Sequence, residues 1–177
     1  MKIVILNGGP RKNGNTEIMV DKFIEYATEA GHECTKYNLG QMKISPCLGC
    51  RSCLDNGGVC VQHDDMEHIV SSIENAEMLV FASPCYFFGI FAQLCTAINR
   101  MYVFSKRGYK ITKAALLMQG GAPDYESFVA PIVQYNIMCK VHGWKDMGII
   151  TINKMRSKGS MADCPELEQI KPLVSRL

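Results

Sequence analysis

An apolar opening strand, MKIVI, runs through LNGGPRKNGNT into an amphipathic stretch, and this junction constrains the chain more than any other feature. A strand that passes through glycines into a helix start builds an anion cradle. Backbone N–H groups and the positive end of the helix dipole face one small volume there. Gly9 to Thr16 reads G-x4-G-N-T, with Asn15 where a nucleoside-triphosphate loop requires lysine. The dinucleotide fingerprint G-x-G-x-x-G is absent, and the second strand ends in Tyr37-Asn38 rather than in an acid for a ribose. A cradle for a single phosphate remains, with Gly9 for close approach and Arg11, Asn13, Asn15 and Thr16 as polar donors.

Beyond that junction, strand and helix patterns alternate. Strands are expected at Lys2–Leu6, His32–Leu39, Met78–Ala82, Lys113–Met118 and Trp144–Ile152. Helices are expected at Thr16–Ala30, Asp64–Ala76, Gly89–Phe104 and Phe128–Val141, the last interrupted or shifted by Pro131, with a short one from Pro165. Alternating βα units imply an α/β fold, a parallel sheet with helices on both faces. Five strands suit the flavodoxin-like order 2-1-3-4-5, whose ligand lies at the carboxyl ends of strands one and three. A chain of 177 residues suits one domain, 1–177, with a long cysteine-rich loop insertion at about 40–62.

That topology brings three loops to one sheet edge. SPCYFFG, Ser83 to Gly89, supplies Pro84, Cys85 and the wide apolar surfaces of Tyr86, Phe87 and Phe88. QGGAPD supplies Gln119, and Gly120 and Gly121 let backbone approach a flat group. A monophosphate cradle, an aromatic shelf and a glycine wall together describe a pocket for flavin mononucleotide, FMN. Cys85 reads either as a thiol near the ring or as a small apolar filler.

The formal charge of +2 offers no electrostatic case for nucleic acid, and no apolar run approaches the ~20 residues of a membrane span. A soluble cytoplasmic protein is expected. Nine cysteines are many for such a chain. Cys34, Cys95, Cys139 and Cys164 read as buried or partly buried residues, but Cys47, Cys50, Cys53 and Cys60 form C-x2-C-x2-C-x6-C inside the long loop. The first three spacings are those of a cuboidal iron-sulfur site. Zinc and metal-free reduced thiols stay open as alternatives, although structural zinc sites commonly pair C-x2-C units across a longer gap. His63, Asp64 and Asp65 read as a solvated helix start.

LNGGPRKNGNT, PCLGCRSCLDNGGVCVQHDDM and SPCYFFGIFAQLCTAINR resemble the NAD(P)H-dependent FMN reductase family, in particular its iron-sulfur flavoprotein branch, over residues 1 to about 122. The family's first motif usually reads G-S-P-R-K-x-[GS]-N-T, and Gly9 stands here for its serine. Its third resembles S-P-x-Y-F-G-x-x-S-A-Q-L-K-x-x-I-D-R, from which this chain departs at Phe88, Phe91, Cys95 and Asn99. The resemblance implies FMN as cofactor, NAD(P)H as co-substrate, and a [4Fe–4S] cluster on the four loop cysteines. It also implies a second electron acceptor, small molecule or protein, and a homodimer or tetramer, with no side chain required as acid or base. The alternative is a non-enzymatic iron-sulfur flavoprotein electron carrier.

Overall fold

A computed structural model describes residues 1–177. Five parallel strands form the sheet: β1 (Lys2–Asn7), β2 (Glu33–Asn38), β3 (Met78–Tyr86), β5 (Lys113–Gln119) and β6 (Lys145–Ile152). Their order is β2-β1-β3-β5-β6, and a two-residue strand β4 (Gly89–Ile90) pairs antiparallel with β3 off this path. With the short hairpin strand set aside, this is the flavodoxin-like order expected from the alternation of elements.

Helices α1 (Asn15–Glu29) and α6 (Ile170–Val174) cover one face, burying Met19, Val20, Phe23, Ile170 and Leu173 against Ile3, Ile5, Val80 and Leu117. Helices α3 (Met66–Asn75), α4 (Ala92–Arg100) and α5 (Val129–His142) cover the other, where Ile69, Ile73, Leu94 and Tyr135 meet Leu6, Phe81 and Leu116. The central strands are buried on both faces, so they carry continuous apolar runs rather than alternation. Gly31 follows α1 at φ +81°, the left-handed position that closes a helix at low steric cost. Pro131 lies in the first turn of α5, where its missing N–H would have no intrahelical partner, so it neither breaks nor kinks the helix. The outer face of α5 carries an apolar ridge spaced four residues apart, Val129, Val133, Ile137 and Val141, each about half exposed or more.

The expected helix Gly89–Phe104 is the principal correction. β3 runs on past Ala82 to Tyr86 and turns back through β4, so helix begins only at Ala92 and gives way to a 3-10 stretch, Met101–Ser105. Two contacts cause this. Cys85 and Tyr86 pair with Ile90 and Gly89, and the Ser83 hydroxyl accepts the Phe91 N–H at 2.9 Å, holding Phe91 extended. Phe87 and Phe88 are the two central turn residues, at φ +47° and +62°. Both positive angles are what a tight type I′ hairpin demands, and asparagine-glycine is its favoured pair. Two phenylalanines there are strained, by roughly 1 kcal/mol or more each.

Candidate active site

The loops after β1, β3 and β5 converge at the carboxyl edge of the sheet around a cleft of about 300 Å³. Its floor is the cradle: Gly9, Pro10, Arg11, Gly14, Asn15 and Thr16. The chain turns here because Asn7, buried beneath it, accepts the Gly9 N–H at 3.0 Å and donates to Asn38 Oδ1 at 2.9 Å. Gly40 packs so closely under the loop that a Cβ there would stand 2.7 Å from Pro10 Cα. No side chain caps α1 at Gly14, leaving the first N–H groups of the helix without an internal acceptor.

Glu17 completes the support from below. It accepts the Asn13 N–H, the Asn38 amide at 2.9 Å and the Lys36 ammonium at 3.2 Å. Burial alone would raise its carboxyl, but those donors outweigh it and hold the group below its usual range. The negative charge therefore stays beneath the loop rather than in the cleft.

Thr16 is buried, and its hydroxyl accepts from Gln119 Nε2 at 3.0 Å, which leaves the hydroxyl proton as a donor. Gln119 thereby ties the end of β5 to the cradle. Asn15 behaves differently from a phosphate donor. Its amide donates to the Ser157 carbonyl at 2.8 Å and accepts from the Met161 N–H at 3.3 Å, clamping the segment after β6. Only its backbone N–H stays available to a ligand. Asn13 sits at φ +53° with its side chain outside the cleft lining.

Pro84, Cys85 and Tyr86 line the cleft beside Gly120 and Gly121, which follow the neighbouring strand. A Cβ on Gly120 would come within 3.2 Å of Cys85 Cβ and 3.3 Å of Phe128, so glycine there is a packing requirement. The Cys85 thiol donates to the Ser127 carbonyl at 3.1 Å, and burial raises it, so it is a neutral wall group. Tyr86 packs edge-on against Phe91 at 4.7 Å and accepts from Arg11 at 3.3 Å across the mouth. Phe87 and Phe88 do not line the cleft; they project from the hairpin tip, 98% and 65% exposed.

Met155 and Arg156 join the lining without having been expected from the sequence. They are held by bonds to the glycine wall: Met155 N–H to the Gly120 carbonyl at 2.8 Å, and Arg156 Nε–H to the Gly121 carbonyl at 3.1 Å. The loop after the last strand emerges at the same sheet edge, and that topological fact was the available signal. The cleft thus presents two arginines, Arg11 and Arg156, and no carboxylate. A larger cavity of about 490 Å³ near Tyr109 and Trp144 is mostly apolar and lies toward the amino ends of the strands. It has no comparable anion site.

The cysteine loop forms a second constellation. Cys47, Cys50, Cys53 and Cys60 line a single small cavity of about 40 Å³, closed by Arg100, Tyr102 and Val103. All four are free thiols, and no three metal-ligating side chains converge on one ion position. The Ser52 hydroxyl donates to Cys50 Sγ at 3.5 Å and lowers that thiol, whereas burial raises Cys53. Asp64 is more than a solvated cap. It pairs with the buried Arg100 at 2.7 Å, accepts the Ser45 N–H at 2.9 Å, and accepts the Met66 N–H at 3.1 Å. No helix is long and apolar enough to cross a membrane.

A family described as NADPH-dependent FMN reductase matches residues 1–148. An iron-sulfur flavoprotein of Archaeoglobus fulgidus is 37% identical over 107 residues, 60% of this chain and 48% of that protein. Another, of Methanosarcina thermophila, is 30% identical over 124 residues, 69% of this chain and 64% of that protein. The chain thus aligns with about half to two thirds of these relatives' length. The NAD(P)H:quinone oxidoreductase of Methanothermobacter marburgensis superposes with a TM-score of 0.72 at 19% identity, covering 98% of this chain and 97% of that one. At that identity the likeness establishes the flavodoxin-like fold. By the match over residues 1–148, which spans the cradle, the aromatic hairpin and Gly120–Gly121, the chain belongs to the NADPH-dependent FMN reductase family.

Proposed function

We propose that the chain binds FMN in the cleft at the carboxyl edge of the sheet and works as an NAD(P)H-dependent oxidoreductase serving a second acceptor, such as a quinone or another small aromatic compound. The observation that carries this reading is a helix N-terminus flanked by Arg11 and Arg156, free of carboxylates, beneath a glycine wall and a tyrosine. The residues fit the group: uncapped N–H groups and a free Thr16 proton suit one phosphate, and a Cβ at Gly9 would crowd the Thr16 hydroxyl at 3.3 Å. When bound, FMN supplies the redox chemistry, taking a hydride from NAD(P)H and passing electrons onward. The chain's own part would be to hold the phosphate with Thr16 and the α1 N–H groups, to offer Tyr86 and Gly120–Gly121 to the ring, and to keep the Glu17 charge out of the cleft. Free thiols suit a reducing, cytoplasmic setting. Anaerobic NADPH added to the flavin-loaded protein should bleach the flavin bands without any partner protein; bands that persist favour a non-enzymatic electron carrier.

The four loop cysteines are proposed to hold a [4Fe–4S] cluster. Four thiols share one cavity, and the two successive C-x2-C spacings suit a cuboidal cluster, whereas structural zinc sites commonly pair such units across a longer gap. A buried Arg100 Nε–H without an acceptor also borders the cavity, as a sulfur-rich group would need.

Self-association is part of the same reading. The exposed rings of Phe87 and Phe88 and the α5 ridge are large apolar side chains left uncovered, as an interaction surface would leave them. Their rings, 5.9 Å apart on a strained turn beside the cleft, suit a roof over a second subunit's flavin. Light scattering at micromolar concentration should report a dimer or tetramer. The double variant Phe87→Asn/Phe88→Gly keeps the hairpin, because that pair is the favoured one, and should shift the protein toward monomer. A wild-type monomer contradicts this assembly.

A further inference from the structure

Arg100 is nearly fully buried, at 2% exposure, at the carboxyl end of α4, far from the cleft that α4 begins beside. A guanidinium carries five N–H donors. Nη1 donates to the Ser45 carbonyl at 2.8 Å and to Asp64 Oδ2 at 2.7 Å. Nη2 donates to Asp64 Oδ1 at 3.0 Å and to the Gln62 carbonyl at 3.4 Å. Those contacts account for four donors and pin both ends of the cysteine loop, Ser45 before it and Gln62 after it. The fifth, on Nε, is buried and has no oxygen acceptor. The Cys60 side chain faces the guanidinium, and both line the four-cysteine cavity.

We infer that Arg100 is the positioning residue of the cysteine loop, clamping it with four N–H groups and offering the fifth to the Cys60 sulfur. This rests on the reading of the loop as a cluster site. A fold staple alone would not require the orphaned donor, since a buried N–H without an acceptor is costly. A thiolate sulfur gives it one. The Asp64 carboxylate offsets the guanidinium charge, and an N–H···S bond favours the more negative, reduced form of a cluster. Arg100 therefore raises the reduction potential of the site above what four thiolates alone would set, easing acceptance of an electron from a donor such as reduced flavin.

The test is a mediated dithionite titration of anaerobically reconstituted protein, two electrons reducing each FMN and one each cluster, with solution potential and visible absorption read together. Arg100→Lys keeps a cation for Asp64 but lacks the planar fork, and Arg100→Gln/Asp64→Asn removes both charges together, so that neither leaves a buried charge alone. Circular dichroism and FMN binding, read separately, establish that each variant is folded. The midpoint potential should fall in both variants, because each lacks the guanidinium Nε–H, or the folded variant should lose its iron because the clamp is gone. Retained iron with a wild-type potential in both variants overturns the role of Arg100 and leaves the cluster reading standing. Wild-type protein that takes up no iron under the same conditions overturns both.

Discussion

Cys50→Ser should yield a protein that binds FMN as tightly as the wild type and carries no intact cluster. Anaerobically reconstituted wild type should be brown, with broad absorption beneath the flavin bands and about four irons per chain. The variant should lose that absorption. Cys50 is exposed on the loop, and its thiol is held low by the Ser52 hydroxyl, which favours the ligating thiolate. The flavin should be spared because the two constellations lie at opposite ends of α4, whose nine residues rise about 13 Å. Long-range electron delivery to an acceptor at the loop should fall with the iron. A wild type that takes up neither iron nor sulfide anaerobically would reduce the account to a plain flavin reductase. Aerobic loss of colour carries no such weight, because a cluster on so exposed a loop is open to oxygen.

Thr16→Val should weaken FMN binding by roughly 10- to 150-fold, the loss of about 1.5–3 kcal/mol for one hydrogen bond to a charged group. Valine matches threonine in shape, so the helix start keeps its packing while the one buried hydroxyl in the cradle disappears. Gln119 Nε2 then loses its acceptor as well, a cost to the stability of the fold and not to the affinity. Asn15→Ala is expected to act through a different route. Its amide secures the 155–161 segment, so that variant should loosen Met155 and Arg156 and remove a cleft wall rather than a phosphate contact. Fluorescence titration of the apoprotein with FMN reads both, and unchanged affinity in Thr16→Val would mean that the phosphate lies elsewhere.

The cradle was legible because its signal is local. A strand, two glycines and a helix start leave few backbone paths, and the strand order follows from βα alternation alone. Leu6, Gly9, Thr16 and Gly120 all sit where the pattern puts them. The hairpin at Phe87-Phe88 was not legible because it opposes local preference. Phenylalanine disfavours positive φ, so the apolar stretch from Gly89 reads as helix, and only the pairing of β3 with β4 and the Ser83–Phe91 bond overrule it. Arg156 was missed because the loop after β6 has no motif; its place depends on tertiary bonds to Gly120 and Gly121. Asn15 and Asp64 show a related limit. Residue type marks each as polar and functional in character, but whether an amide faces a ligand or a neighbouring loop depends on chain brought from far along the sequence. Arg100 is a contact of that kind too, joining the end of α4 to loop residues from Ser45 to Asp64.

The central claim is that the cleft is a cradle for the single phosphate of a flavin mononucleotide. Its most direct measurement is a calorimetric titration of the apoprotein with FMN and with riboflavin, which differ only in that phosphate. One FMN per chain and much weaker riboflavin binding are expected, with inorganic phosphate competing against FMN. Riboflavin binding as tightly as FMN would contradict it.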